Sequence, residues 1–180
     1  IFNRGIETFF REAFDGLKQF PGLEARLIKG AGETLHSEHV VWNLPRTGQL
    51  APWLGRLSNR NAYVIEQWSS FLPIVNQIRQ YKPHIIFYSD SNLGFLLYWF
   101  RNHIGVPYRL LFSNGGPCHP PFIRTDFVHQ VAPIYYEEAI QSGEPTDKHI
   151  LVPYGINVPK HSLITNHDEK HDLRRQLNLP

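Results

Sequence analysis

Sulfur is almost absent from this sequence. Its 180 residues include one cysteine, Cys118, and no methionine. A single cysteine excludes a disulfide within the chain, which fits a reducing compartment. Cys118 is followed by His119, but the sequence names no carboxylate partner that would make this pair a catalytic nucleophile.

A strong surplus of charge and long apolar runs are also missing. The formal net charge of +2 is too small to indicate a nucleic-acid partner. No apolar run approaches the roughly 20 residues of a membrane-spanning helix, and no signal peptide is recognisable. With 42% hydrophobic and 19% charged residues, the composition is that of a globular protein.

The two ends predict a piece of a longer protein. The chain begins at Ile1 without a methionine and stops directly after a helix-like segment, residues 168–179. We expect a domain over residues 1–158, whose first strand is truncated. Residues 159–180 are then a linker and a helix that lead to a further domain.

The middle of the chain predicts parallel strands. A strand at 84–89, a helix over 93–104 and a buried strand ending at Ser113 form a βαβ unit, which requires a parallel sheet. Further strands are expected at 127–131 and 149–152, with a helix at 135–141 between them. The predicted fold is α/β, a doubly wound and mostly parallel sheet of Rossmann-like type.

The first half predicts more helix than strand. Apolar spacing favours a helix over 6–20, and a second helix from a cap at Asn59 to Tyr81, kinked or split at Pro73. Short strands are expected at 23–28 and 40–43. The stretch 44–58 contains two prolines and two glycines, so it should be largely irregular.

The end of the buried strand is the clearest candidate site. Ser113 and Asn114 stand where the apolar run stops, and Gly115 and Gly116 permit a sharp turn or close approach to a ligand. Ligands of open α/β sheets bind outside the carboxyl ends of the strands. The alternative is a turn in which Asn114 takes an unusual backbone conformation.

Two helix starts are further candidates. Asp90 and Ser91 offer either a carboxylate that accepts a substrate hydroxyl or simple helix capping by Ser91 or Asn92, with Asp90 favourable at the helix dipole. Arg4 and Gly5 precede the first helix, whose free N–H groups suit phosphate, although the spacing alone favours a plain turn.

Two other side-chain patterns are less specific. The paired histidines, His36 with His39 and His167 with His171, are too few for a zinc site, so no metal is expected. A basic and aromatic stretch favours either a membrane surface or the packing of a long loop. Its residues are Trp42, Arg46, Trp53, Arg56 and Arg60.

Five segments, in order, resemble the N-terminal domain of a family-4 (group 1) retaining glycosyltransferase with the two-domain GT-B fold. They are residues 4–7 (Arg-Gly-Ile-Glu), 82–86 (Lys-Pro-His-Ile-Ile), 111–115 (Leu-Phe-Ser-Asn-Gly), 150–157 (Ile-Leu-Val-Pro-Tyr-Gly-Ile-Asn) and 173–180 (Leu-Arg-Arg-Gln-Leu-Asn-Leu-Pro). The resemblance implies transfer of a sugar from a nucleotide diphosphate to an acceptor hydroxyl, with retention and without a metal cofactor. The donor site then lies in a C-terminal domain that this chain lacks, so the chain alone should be inactive.

The resemblance also implies residue roles. The donor diphosphate is expected near Arg4 and Gly5, and the acceptor near Asp90 and Ser91. The reacting groups are expected beside Ser113, Asn114 and Gly115. Arg124 either reaches an anionic acceptor or phosphate or is an ordinary surface arginine. Asn114 stands where the family has histidine, and an amide cannot act as a general base at neutral pH.

The implied partners are a nucleotide-sugar donor, a sugar or lipid-linked acceptor and the chain's own C-terminal domain, but no nucleic acid. The implied location is cytoplasmic, with peripheral contact at the inner face of the membrane where the acceptor is a lipid. Two alternatives remain open. One is a non-catalytic α/β module that binds a sugar or nucleotide, and the other is a different GT-B enzyme such as a nucleotide-sugar epimerase.

Overall fold

The computed structural model describes residues 5–34, 36–115, 118–154 and 174–175. These residues form an α/β fold with two parallel sheets. The smaller sheet pairs β1 (Leu27–Lys29) with β2 (Glu38–Val40). The larger sheet has the order β3-β4-β5-β6, with strands Ile85–Tyr88, Arg109–Asn114, Phe127–Gln130 and His149–Leu151.

Every pair in the larger sheet is parallel, as the βαβ pattern predicted. The crossover from β3 to β4 consists of α5 (Ser91–Trp99) and α6 (Arg101–Ile104), and α7 (Pro133–Gln141) links β5 to β6. Because all four strands run the same way, their carboxyl ends lie along one edge. Among the described residues the strand order does not reverse, so a doubly wound sheet stays a prediction.

Helices cover both faces of the larger sheet. On one face Tyr88 packs against Phe112, and the cluster continues to the fully buried Leu97 of α5. On the other face α1 (Gly5–Leu17) places Phe9 and Phe10 against Phe87, with ring centres 6.1 and 4.9 Å apart. Neighbouring strand residues point to opposite faces, which explains why the two faces carry different partners.

The prediction of irregular structure over 44–58 is wrong in its second half, where α2 spans Leu50–Leu57. Pro52 lies in the first turn of α2, where its missing N–H would have no helical partner anyway. Gly55 lets α2 approach the chain closely, because a Cβ there would lie 2.6 Å from the carbonyl oxygen of Arg60. Ala51 and Gly55 of α2 are buried, so packing of this helix accounts for a structure that local composition argued against.

The predicted long helix is divided in two. Helix α3 spans Ala62–Ser69 and α4 spans Phe71–Tyr81, with Pro73 in the first turn of α4. The split near Pro73 is confirmed, but the cap at Asn59 is wrong. The side chain of Asn61 caps α3 instead, by accepting from the Val64 amide at 2.9 Å.

Other element ends moved by a few residues. Helix α1 stops at Leu17 rather than Phe20, and the strands expected at 23–28 and 40–43 lie at 27–29 and 38–40. The strand expected at residues 1–2 and the helix expected at 168–179, apart from the helical Arg174 and Arg175, lie outside the described residues. Within the described ranges, no helix is long and apolar enough to cross a membrane.

Candidate functional site

Buried polar side chains line the carboxyl ends of β4 and β5. Ser113 and Asn114 end β4, and in the register of the sheet they stand beside His129 and Gln130 of β5. All four are buried, and Asn114 and Gln130 are completely enclosed. Since buried polar groups must be paired, the pairing of this layer decides what the edge can do.

On the α1 side, Ser113 and His129 form one bonded pair. The His129 Nε2 lies 2.7 Å from the carbonyl oxygen of Val152, which can only accept, so Nε2 carries the hydrogen. In the neutral imidazole, Nδ1 therefore accepts from the Ser113 hydroxyl at 3.1 Å. The ring also stacks on Phe9, with centres 5.7 Å apart. His129 thus ties the segment after β6 to β4 and to α1.

The sequence reasoning missed His129. Its only signal was a polar residue near the end of an apolar strand, in the next strand along the chain from Ser113. The side chain of such a residue is usually predicted to face solvent, because alternation alone does not say which face of a strand is covered. The register shows that its neighbour is Ser113.

Gly115 brings three separate segments together. A Cβ at Gly115 would lie 2.1 Å from the Tyr154 hydroxyl oxygen and 3.5 Å from Ile6 Cδ1. Tyr154 follows β6, and Ile6 belongs to the first turn of α1, next to Gly5. Among the described residues, none outside the helix itself lies within 4 Å of the position of a Cβ at Gly5. The predicted site residues Gly5 and Gly115 therefore share one edge, while Arg4 and Gly116 lie outside the described residues.

Asn114 binds the backbone of Cys118. Its Oδ1 accepts from the Cys118 amide at 3.3 Å, and its Nδ2 donates to the Cys118 carbonyl at 3.1 Å. The same Nδ2 donates to Gln130 Oε1 at 2.9 Å. Asn114 is in the extended strand, so the alternative of an unusual backbone conformation is wrong. Contact between Asn114 and reacting groups stays a prediction.

Asp90 is the cap of α5. Its Oδ1 accepts from the amides of Asn92 and Leu93 at 2.8 and 3.0 Å, and its Oδ2 accepts from the Tyr63 hydroxyl. Burial and the Asp90 carboxylate both raise the pKa of Tyr63, so it stays a neutral donor. The expectation that Ser91 or Asn92 caps the helix is wrong, because Asp90 is the cap and both of those residues lie inside the helix.

Arg124 lies away from the carboxyl edge. Its exposed guanidinium sits 4.7 Å from the centre of the Phe95 ring, just before β5 begins. Nearby, Thr125 and Asp126 bond the backbone of Leu110 near the start of β4. The structure therefore groups Arg124 with the amino ends of the strands. A cavity of about 610 Å³, lined in part by Arg101 and Arg109, opens at that same end.

A second row of buried, interacting polar side chains starts at Gln130. Its Nε2 lies 3.1 Å from His149 Nδ1, and His149 Nε2 lies 3.5 Å from Glu144 Oε2. Glu144 also accepts from Lys148 at 2.9 Å and from the Phe122 amide at 3.0 Å. Burial lowers the pKa of His149, although Glu144 opposes this. Burial alone would raise the pKa of Glu144, but the Lys148 and Phe122 hydrogen bonds outweigh it and lower that pKa.

Acidification is expected to lower the free energy of unfolding in two stages. The folded pKa of His149 lies below the usual 6.5, so its stabilisation is complete above pH 6.5 and is lost as the pH falls towards the lower folded value. Glu144 follows in the same sense below its usual pKa of 4.5. Urea unfolding measured from about pH 7.5 to about pH 3 checks this. A flat profile, or stability that rises on acidification, would contradict it.

The remaining candidates carry little chemistry. His119 Nδ1 lies 2.7 Å from Glu138 Oε1, which supplies the carboxylate partner that the sequence did not name, but both side chains are exposed. Arg46 pairs with Glu66 at 3.7 Å, while Trp42 stays exposed. Across the described part of the chain, no group of three or more His, Cys, Asp or Glu side chains could hold a metal ion.

The polar edge has to be interpreted from its own geometry. Gly115, the first turn of α1 and Tyr154 meet there, beside the bonded pair of Ser113 and His129. Comparison of the chain with protein-family models, with curated proteins and with solved structures finds no match.

Proposed function

We propose that this chain is the N-terminal, acceptor-side domain of a retaining family-4 (group 1) glycosyltransferase with the GT-B fold. The complete protein would transfer a sugar from a nucleotide diphosphate to an acceptor hydroxyl. One observation carries the proposal: Gly115 meets both the first turn of α1 and Tyr154. Three of the segments that resemble the family, 4–7, 111–115 and 150–157, therefore contribute residues to one edge of a parallel sheet.

The chemistry of the edge suits a diphosphate leaving group. The first turn of a helix has N–H groups without helical partners, and these stabilise negative charge. Helix α1 begins at the exposed Gly5, where none of the described residues outside its own helix lies within 4 Å of the position of a Cβ. In this proposal the donor's diphosphate approaches that turn when the two domains close, and Arg4 supplies a cation.

The acceptor would lie between β3 and β4. Asp90 and Ser91 follow β3. Ser113 lies near the end of β4 and Gly115 comes directly after that strand, so these residues border one stretch of the carboxyl edge. Asn114 acts in this proposal by holding the Cys118 backbone. Arg124, at the other end of the strands, has no part in it. A cytoplasmic location and peripheral contact with a lipid surface remain predictions.

Gly115→Ala in the complete gene product tests the site. The added methyl group must displace Tyr154 from α1, and Tyr154 is exposed enough to move without unfolding the domain. We expect sugar transfer from UDP-, GDP- or ADP-sugars to fall at least about tenfold, which is about 1.4 kcal/mol of activation free energy. The thermal midpoint should change little.

Two variants control this experiment. Tyr154→Phe in the Gly115→Ala background removes the hydroxyl oxygen, so the nearest ring atom lies at 3.2 Å and activity should recover in part. Gly16→Ala adds a methyl group to α1 where no described residue outside that helix lies within 4 Å, and it should leave activity unchanged. Binding of nucleoside diphosphates without any transfer would favour a non-catalytic module. The absence of both binding and transfer would contradict the proposal.

A further inference from the structure

The buried amides at the carboxyl edge are bonded in one direction. Starting at Cys118, Asn114 Nδ2 donates to Gln130 Oε1, and Gln130 Nε2 donates to His149 Nδ1. An amide nitrogen can only donate, so His149 Nδ1 must be an unprotonated acceptor. His149 therefore carries its hydrogen on Nε2, on the side of Glu144.

Reversing any member of this chain disturbs the next one. If His149 Nδ1 gained a proton, it would face a donor, and Gln130 would have to turn its oxygen towards it. Gln130 would then present its nitrogen to Asn114 Nδ2. Turning Asn114 in response would place its nitrogen against the Cys118 amide and its oxygen against the Cys118 carbonyl, so both bonds to Cys118 would be lost.

We infer that Gln130 and His149 are positioning residues, which fix the Asn114 amide and through it hold the Cys118 backbone against the end of β4. Neither side chain needs to touch a substrate. Completely buried amides have no water to replace a lost partner, so each orientation is set by its neighbour. The inference concerns the position of Cys118 and does not depend on sugar transfer.

The surroundings of His149 allow its proton to act as the control. Glu144, 3.5 Å from Nε2, favours a charged imidazole, and Lys148, bonded to Glu144, disfavours it. The Phe122 ring, 5.6 Å away, and the neutral Gln130 complete the contacts given by the described residues. With burial as the larger effect, the pKa of His149 lies below its usual value, so the bonded chain is intact near neutral pH and fails when the pH falls towards that lower value.

Cys118 is a built-in probe of this coupling. It is the only cysteine of the chain and is exposed. The experiment measures the rate of maleimide labelling of the complete gene product. The part of the labelling that disappears in a Cys118→Ser variant is the labelling of Cys118. Each rate is divided by that of a model thiol peptide at the same pH, which removes the intrinsic thiolate dependence. All samples carry His119→Gln, because His119 adjoins the probe and bonds Glu138.

In the sample that keeps Gln130 and His149, lowering the pH from about 7.5 to about 4.5 is expected to accelerate normalised labelling of Cys118 about three- to tenfold. This range corresponds to the loss of one or two hydrogen bonds. Gln130→Glu should abolish that dependence, because a carboxylate accepts from both Asn114 and a protonated His149. His149→Asn should abolish it too, because Oδ1 replaces Nδ1 as an acceptor that cannot be protonated. Gln141→Glu, the same change at an exposed residue of α7, should retain it.

The outcomes separate positioning from a purely structural role. A merely structural Gln130 would alter the rate equally at every pH, and that result would overturn the inference. A labelling rate that does not change with pH in the sample that keeps Gln130 and His149 would also overturn it. So would an unchanged acid response in both Gln130→Glu and His149→Asn. If Gln130→Glu does not fold by circular dichroism, the His149→Asn profile decides the question alone.

Discussion

Gly94→Ala should destabilise the domain by about 2 kcal/mol, although alanine is the better helix former by about 1 kcal/mol. The new Cβ would lie 2.1 Å from Cε2 of Tyr88 and 2.6 Å from its Cζ, far inside contact distance. Tyr88 cannot withdraw, because it is buried on β3 and its ring packs against Phe112 at 5.6 Å. Helix α5, which carries Gly94, begins only three residues after β3 ends, so it has little freedom to shift.

Urea unfolding of Gly94→Ala beside Gly16→Ala tests this expectation. Gly16 lies on α1, and within the described ranges nothing outside that helix comes within 4 Å of a Cβ there, so the same substitution should be neutral or stabilising. The pair shares one chemical change and one kind of secondary structure, which leaves packing as the difference. Equal effects in the two variants would show that α5 and β3 do not pack as described.

Asp126→Ala should lower the free energy of unfolding by about 3 kcal/mol, because it leaves the partly buried guanidinium of Arg101 without its counter-charge. The Asp126 carboxylate accepts from Arg101 at 3.1 and 2.7 Å and from the Leu110 amide at 2.7 Å, with Arg109 at 3.6 Å. Burial alone would raise the pKa of Asp126. The hydrogen bonds from Arg101 and Leu110 outweigh burial, so that pKa lies below its usual value.

The sign of the pH effect follows from that shift. The stabilisation from Asp126 is complete above the usual pKa of 3.8 and is lost as the pH falls towards the lower folded value. Asp126→Ala should therefore unfold at lower urea than wild type near neutral pH and approach it in strong acid. Asp15→Ala, which removes an exposed carboxylate paired with Lys18, should change stability by less than about 0.5 kcal/mol. A similar loss in both variants would contradict the role given to Asp126.

The strands of the larger sheet were predictable from the sequence because they are short apolar runs between turn signals. The expected segments at 84–89, 127–131 and 149–152 each contain an observed strand. Strands covered on both faces need continuous hydrophobicity, and this pattern does not depend on distant residues. Helix α2 was not predictable in this way, because the burial of Ala51 and Gly55 depends on packing that its local signals do not show.

The candidate site was predictable in place but not in its contacts. Gly115 was expected at a strand end, and the structure adds that it meets Tyr154 and α1. His129 was not expected, because nothing local distinguishes a histidine that bonds Ser113 from one that faces solvent. The pairing of strands far apart in the chain decides such contacts, and register is a property of the whole sheet.

The sequence by itself determined the parallel α/β class and the order of its strands and crossovers, since apolar periodicity and glycine or proline stops are local. Only the tertiary structure decided which polar groups meet. Asn114, Gln130 and His149 come from three strands, and their donors and acceptors align only once β4, β5 and β6 are in register. A hydrogen bond needs two groups within about 3 Å, and the fold alone brings residues so distant in sequence to that separation.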